Sequence, residues 1–158
     1  MKISPNIVLN YLSHLVSVYL IVKVQRTDIC GKKIFEIGQK YYFEDLGIRN
    51  TVVRYVQKDI GNVLENLVFI HLIQKGYTVT IGKMNHKEID FVCDKRNERL
   101  YIQVAYMIPD EKTHEREFGN LIAIPDNYKK IVISMDDMIG GSYKGIEHLH
   151  VLDFLTHF

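Results

Sequence analysis

Residues 88–106 read EIDFVCDKRNERLYIQVAY. Two alternating apolar runs flank the polar stretch Lys95-Arg96-Asn97-Glu98, the pattern of a β-hairpin. With the turn centred on Arg96-Asn97, Asp90 falls directly across from Gln103 and Glu88 across from Ala105. Cross-strand neighbours have Cβ atoms ~5 Å apart, close enough for two side chains to share one cation. Alternation turns Gln103 and Ala105 to one face, and turns Lys87 away from Asp90.

Before the hairpin comes DIGNVLENLVFIHLIQKG, residues 59–76, a helix capped by Asp59 and stopped by Gly76. Val63, Leu64, Leu67, Val68, Phe69, Ile70, Leu72 and Ile73 make it apolar nearly all round, which predicts burial against a sheet. Glu65 lies among them. A buried, unpaired carboxylate is costly, so Glu65 needs a donor, a metal or a proton. The Gln103 amide is one available donor. A helix glutamate, a strand aspartate and an acceptor on the next strand together have the ligand chemistry of a Mg²⁺ site.

The pattern extends outward from there. A strand is expected over 77–82, and a helix over 111–123 capped by Asp110. A strand at 130–135, a short strand near 148–151 and a final helical turn follow, giving the order α-β-β-β-α-β. Ser4-Pro5 is a helix start, continued by Ile7, Tyr11, Leu12, Leu15 and Val16. Residues 19–25 and 33–43 read as two strands around the turn 27–32. A helix entering a hairpin is the back half of a winged-helix module; its first two helices would precede Met1, which suggests a fragment. The expectation is an α/β chain with a mixed sheet in two parts, residues 1–56 and 57–158.

A hydrophobic share of 47% with 25% charged residues excludes a disordered chain. The net charge of +1 gives no general attraction to polyanions, so any DNA affinity must be local. Residues 7–22 are too short and too interrupted by Asn10, Ser13, His14 and Ser17 to span a bilayer, and they lack a cleavage site. The expected location is the cytoplasm, with no membrane partner. Cys30 and Cys93 are lone and read as small apolar residues of a reducing compartment. No G-x-x-x-x-G-K-[ST] or G-x-S-x-G occurs, so the chain carries neither a P-loop nor a serine-hydrolase elbow.

Lys23, Arg26, Lys32, Lys33, Lys40, Arg49 and Arg54 lie in or near the expected wing and form the candidate nucleic-acid contact. Asp28, Glu36, Glu44, Asp45 and Asp59 balance them nearby. Tyr41, Tyr42 and Phe43 read as a core strand. Asp45 and Arg49 stand at i,i+4 spacing and support a short helix. His71 reads as a satisfied core histidine. His148 and His150 alternate on a strand without a matching ligand pair, and Asp136-Asp137 cap or solvate a turn.

The order α-β-β-β-α-β with Glu65, Asp90 and Gln103-Val104-Ala105 resembles the restriction-endonuclease-like, PD-(D/E)XK superfamily. More narrowly, KKIFEIGQKYYFEDLGIRN, DIGNVLENLVFIHLIQKGY, KEIDFV and YIQVAY resemble the C-terminal region of a bacterial and archaeal AAA-type ATPase family. That resemblance covers nearly the whole chain. It implies a P-loop domain, then a winged-helix segment, then a nuclease-like domain. It also implies that ATP belongs to an N-terminal domain outside this chain and that the partner is an AAA-type ATPase domain, in the same or a separate chain.

Active members of the superfamily use acids for Mg²⁺ and a lysine to activate the water. Here Glu65 and Asp90 are kept, Gln103 stands at the second acid and Ala105 at the lysine. The loss of one charge and of the ammonium makes a vestigial site of Glu65, Asp90, Gln103 and Ala105. No cofactor is expected in this chain; a metal, if held, would sit on Glu65 and Asp90. The expected function is a non-catalytic module in nucleic-acid or protein-partner recognition. The alternative is a Mg-dependent DNA nuclease with a relocated lysine. A third reading is an oligomerisation or toxin-like effector scaffold, favoured by an exposed apolar face near Ile7.

Overall fold

The computed structural model describes residues 4–31, 33–54, 56–137 and 141–158. The protein is mixed α/β, with five α-helices and a mixed eight-stranded sheet among the described residues. Helix α1 (Pro5–Ser17) follows Ser4, whose extended backbone and the proline after it set the helix entry without a side-chain cap. Strands β1 (Ile21–Asp28) and β2 (Ile34–Phe43) form an antiparallel hairpin. Helix α2 (Leu46–Val53) is capped by Asp45, which accepts from the Ile48 N–H at 2.8 Å.

A 3-10 turn at Gln57–Asp59 leads into α3 (Ile60–Gln74). Beyond α3, Gly76 takes φ +81°, the left-handed conformation that ends a helix at least cost without a Cβ. Then come β3 (Thr78–Met84), β4 (Lys87–Lys95), β5 (Glu98–Val104), α4 (Glu111–Ile122) and β6 (Lys129–Ser134). This is the expected α-β-β-β-α-β order. The chain closes with β7 (Ser142–Tyr143), β8 (Ile146–His150) and α5 (Val151–His157). Strand β7 is two residues long and has no period to read, so the sequence pattern did not predict it.

The sheet order is β2-β1-β3-β4-β5-β6-β8-β7. The β1–β2 hairpin forms one end of this sheet. Its strand β1 pairs in parallel with β3 through Arg26–Ile81, Thr27–Gly82 and Asp28–Lys83, so the sheet runs across the expected boundary at 56/57. Pairing satisfies backbone groups of β1 that would otherwise lie on an open edge.

Alternation sorts the core into two layers. Phe91, Cys93, Leu100, Ile102, Ile131 and Ile133 face α3 and α5, against Val68, Phe69, Leu72 and Phe154. Ile89, Val92, Tyr101 and Val132 face α4, against Phe118 and Leu121. Burying each such side chain contributes ~1.5–3 kcal/mol. The β4–β5 ladder runs from Phe91–Ile102 to Lys95–Glu98, the register that a turn at Arg96-Asn97 requires. One break matters for the site. Strand β4 bulges against β3, leaving Asp90 and Phe91 both opposite Ile81.

Candidate functional site

The bulge, in the first half of β4, places Asp90 where a cleft of about 700 Å³ opens between α3, the end of β5 and α4. Glu65, Glu88, Asp90, Gln103 and Ala105 all line this cleft. The structure thus brings the four candidate residues Glu65, Asp90, Gln103 and Ala105 to one cleft and adds Glu88. The Asp90 carboxylate accepts from the Val104 N–H at 2.9 Å, and the Gln103 side-chain oxygen accepts from the Asp90 N–H at 3.4 Å. Side chains therefore replace the ladder where the two strands part. Ala105 donates its N–H to Ile133 and leaves its small side chain at the cleft wall.

Glu65 does have donors, but Gln103 is not among those the structure shows. The Lys40 ammonium lies 3.0 Å from its Oε1, and the Tyr42 hydroxyl donates to the same oxygen at 2.5 Å. Both come from β2, 20 and 18 residues before α3 begins at Ile60, and no period or motif signals that encounter. Lys40 also stands 2.9 Å from Glu88 and 3.9 Å from Asp90. Arg26 of β1 pairs with the other Glu88 oxygen. The hairpin read as a nucleic-acid wing thus delivers two of its cations to the acid cleft.

The protonation states follow from this geometry. Burial raises the pKa of Asp90, the Glu65 carboxylate raises it further, and the Val104 N–H and Lys40 only partly oppose them; it is pushed up to about 8. Burial pulls Lys40 down, yet Glu65, Glu88 and Asp90 outweigh it and hold the ammonium above its usual range. Burial raises Glu88, but the hydrogen bonds from Lys40 and Arg26 bring it below its ordinary value. Tyr42, buried against Phe69 at 4.4 Å and facing Glu65, is shifted far up and stays a phenol. Two cations and the raised pKa of Asp90 thus offset the crowding of three carboxyl groups.

That balance bears on a divalent ion. Among the described residues no three Asp, Glu, His or Cys side chains converge at metal-ligand spacing. The point between Glu65, Glu88 and Asp90 is taken by the Lys40 ammonium. In this arrangement the acids do not fit a magnesium ion.

The remaining basic candidates divide clearly. Arg49 is buried and paired with Asp59, not with Asp45. That pairing, with a bond from Asn62, occupies the Asp59 carboxylate, so Asp59 precedes α3 without capping it by a side-chain hydrogen bond. Lys23, Lys33 and Arg54 are exposed, and Lys32 lies outside the described residues. Lys87 turns toward α4 and reaches the Gly119 carbonyl at 3.3 Å. Opposite the acids, Arg116 is 69% exposed at its side chain and pairs with the buried Glu117.

Other residues settle elsewhere. His71 packs on Phe154, but its Nε2 is buried without a hydrogen bond, so it is not a satisfied histidine. His150 accepts from the Leu152 N–H and caps α5, while His148 meets the Ser134 hydroxyl at 2.8 Å. Asp136 accepts from the Ile108 N–H at 2.9 Å. Cys93 is buried and Cys30 is exposed. No helix among the described residues is long and apolar enough to cross a membrane.

No family model matches the chain, and no solved structure matches it. It is similar to an uncharacterised protein of Haemophilus influenzae, 41% identical over 152 residues that cover 96% of this chain and 37% of that protein. It is also similar to an uncharacterised protein of Methanocaldococcus jannaschii, 33% identical over 120 residues, or 73% of this chain and 26% of that one. The chain therefore spans well under half the length of these curated relatives.

Proposed function

We propose that this chain is a nuclease-like module that recognises a nucleic acid or a protein partner without cutting. In this reading a partial winged helix precedes a restriction-endonuclease-like core, and the module works as the C-terminal part of an AAA-type ATPase. The observation that carries it is the position of Lys40. Its ammonium sits among Glu65, Glu88 and Asp90, so the acids are neutralised from within. An acid centre already filled by a tethered cation has little charge left to draw a second one. The greater length of both relatives supports a part played within a larger protein.

A surface for partners is available. Helix α1 buries none of its residues, and Ile7, Leu9 and Tyr11 stand 48%, 55% and 68% exposed. Lys23, Lys33 and Arg54 offer exposed charge for phosphate contact.

The test is cleavage of plasmid DNA and of single- and double-stranded oligonucleotides with Mg²⁺ or Mn²⁺. The wild type should cut no faster than Asp90→Ala. Cleavage by the wild type that disappears in Asp90→Ala overturns the reading. A second reading, a metal-dependent nuclease with a relocated lysine, draws on the same amine, 3.0 Å from Glu65 and 3.9 Å from Asp90. It requires that Lys40→Ala abolish cleavage together with Asp90→Ala.

A further inference from the structure

The loop after β5 separates the acid cleft from a second hollow of about 600 Å³, and Met107 on that loop borders both. This hollow opens beyond the carboxyl ends of β5 and β6, which run parallel to each other and to β8. Crevices beyond the carboxyl ends of parallel strands are where open α/β sheets hold ligands, and the volume lies within the ~300–1,000 Å³ of small-molecule sites.

Rings form its walls. His114 and Phe118, one turn apart on α4, stack at 4.2 Å with planes 17° apart. Tyr143 of β7 meets them nearly at right angles, at 82° and 81°. His148 of β8 stands at 85° to Phe118. Mutually perpendicular rings make a box, not a flat platform for stacking bases.

Apart from its histidines, the charged side chains among the described lining residues are both acidic. Asp136 and Asp137 follow β6, and no lysine or arginine is among the described lining residues. Asp136 is committed to the loop through the Ile108 N–H, whereas Asp137 has no partner among the described residues. His148 adds no positive charge near neutrality: burial lowers its pKa, Asp136 only partly opposes this, and His114 lowers it further. The Lys144 ammonium, outside the lining, already lies 5.2 Å over the Tyr143 ring. Ring faces attract cations and carboxylates complete the charge, while a phosphate would meet two carboxylates and neither a lysine nor an arginine among the described lining residues.

We propose that this hollow binds a small organic cation, an alkylammonium or a guanidinium-type group. Its apolar body packs against His114, Tyr143 and Met107, and its charged head meets Asp137. This site is independent of the acid cleft and of the nuclease-like reading.

The test is calorimetric titration of the full chain with benzamidine and with agmatine, using benzamide as the neutral near-isostere of benzamidine. Benzamidine should bind at ~1 mM or tighter, and benzamide at least about tenfold more weakly. Asp137→Asn and Tyr143→Leu, which keep bulk while removing charge or ring, should each weaken benzamidine by about three- to tenfold. Asp90→Asn should leave it unchanged, which separates this hollow from the acid cleft. An end-capped peptide with one arginine, compared with agmatine, tells a protein side chain from a free amine as the natural source. Equal binding of benzamide, unchanged affinity in both hollow variants, or no benzamidine binding up to ~10 mM overturns the proposal.

Discussion

Replacing Lys40 by methionine keeps the alkyl stem and removes only the ammonium. In the wild type that ammonium is 3.0 Å from Glu65, 2.9 Å from Glu88 and 3.9 Å from Asp90, with the Lys40 side chain 27% exposed. Breaking a fully buried ion pair by removing one partner costs ~3–5 kcal/mol. Partial exposure screens the site, and the Tyr42 hydroxyl stays on Glu65, so a loss of ~2–3 kcal/mol is expected. For a chain of this size each kcal/mol moves Tm by ~2–4 °C, so the variant should melt ~4–12 °C lower. The three acids do not converge at ligand spacing around the ammonium, but without it they are free to draw in on an ion, and Mn²⁺ should then bind there. At a hundredfold excess over Kd, binding adds ~2.7 kcal/mol, about the size of the loss. Calorimetric melting with and without Mn²⁺ reads both effects. The reasoning fails if the wild type gains as much from Mn²⁺ as Lys40→Met, or if the variant loses less than ~1 kcal/mol.

Other expectations follow from single contacts. Asn66 of α3 clamps the edge strand β2, its amide donating to the Phe43 carbonyl at 2.8 Å and its oxygen accepting from the Phe43 N–H at 2.9 Å. Asn66→Ala should cost ~2 kcal/mol in urea unfolding, and Asn66→Asp, which sets a buried carboxylate against the Phe43 carbonyl, should cost no less. Asp90 titrates higher folded than unfolded, so it favours the fold below about pH 4 and loses that contribution as the pH rises toward about 8. Asp90→Asn keeps an acceptor for Val104 and should flatten this decline, raising stability above neutrality. His71 shows the opposite slope, because burial lowers its folded pKa below 6.5. Stability is complete above 6.5 and falls as the unfolded chain takes up the proton below it; His71→Phe should remove that component from Tm-versus-pH curves. Finally, DNA binding through Lys23, Lys33 and Arg54 should show a log–log salt slope no steeper than ~−2.7 in fluorescence anisotropy, since Arg26, Lys40 and Arg49 are already paired.

The pH behaviour of Asp90 bears on what the cleft is for. A carboxyl group kept buried at a cost to stability near neutral pH is not explained by packing. Groups displaced this way collect at sites selected for chemistry or binding. Ion-pair networks displace them too, and the Lys40 cluster is one. The proposed module reading is compatible with both: the acids would be those of a nuclease-like centre, and Lys40 of the hairpin lies among them.

Local chemistry determined much of this molecule. The pattern EIDFVCDKRNERLYIQVAY is enough for a hairpin with a known turn, because alternation and a two-residue polar break leave one register that buries Phe91, Ile102 and Leu100 together. The all-round apolar α3, its stop at Gly76 and the Asp110 cap of α4 are likewise local, each resting on a few neighbouring residues. The apolar run of α3 also announced that Glu65 would need a partner. Which partner it found was a matter of tertiary structure. Lys40 and Tyr42 reach Glu65 only because β1 docks beside β3 and carries β2 to the edge of the sheet. Backbone pairing between distant strands leaves no periodic trace in either segment. The bulge that aims Asp90 is equally silent, being one extra residue in an alternating strand. Sequence alone therefore located the acids, and only the assembled sheet decided that an ammonium would lie among them.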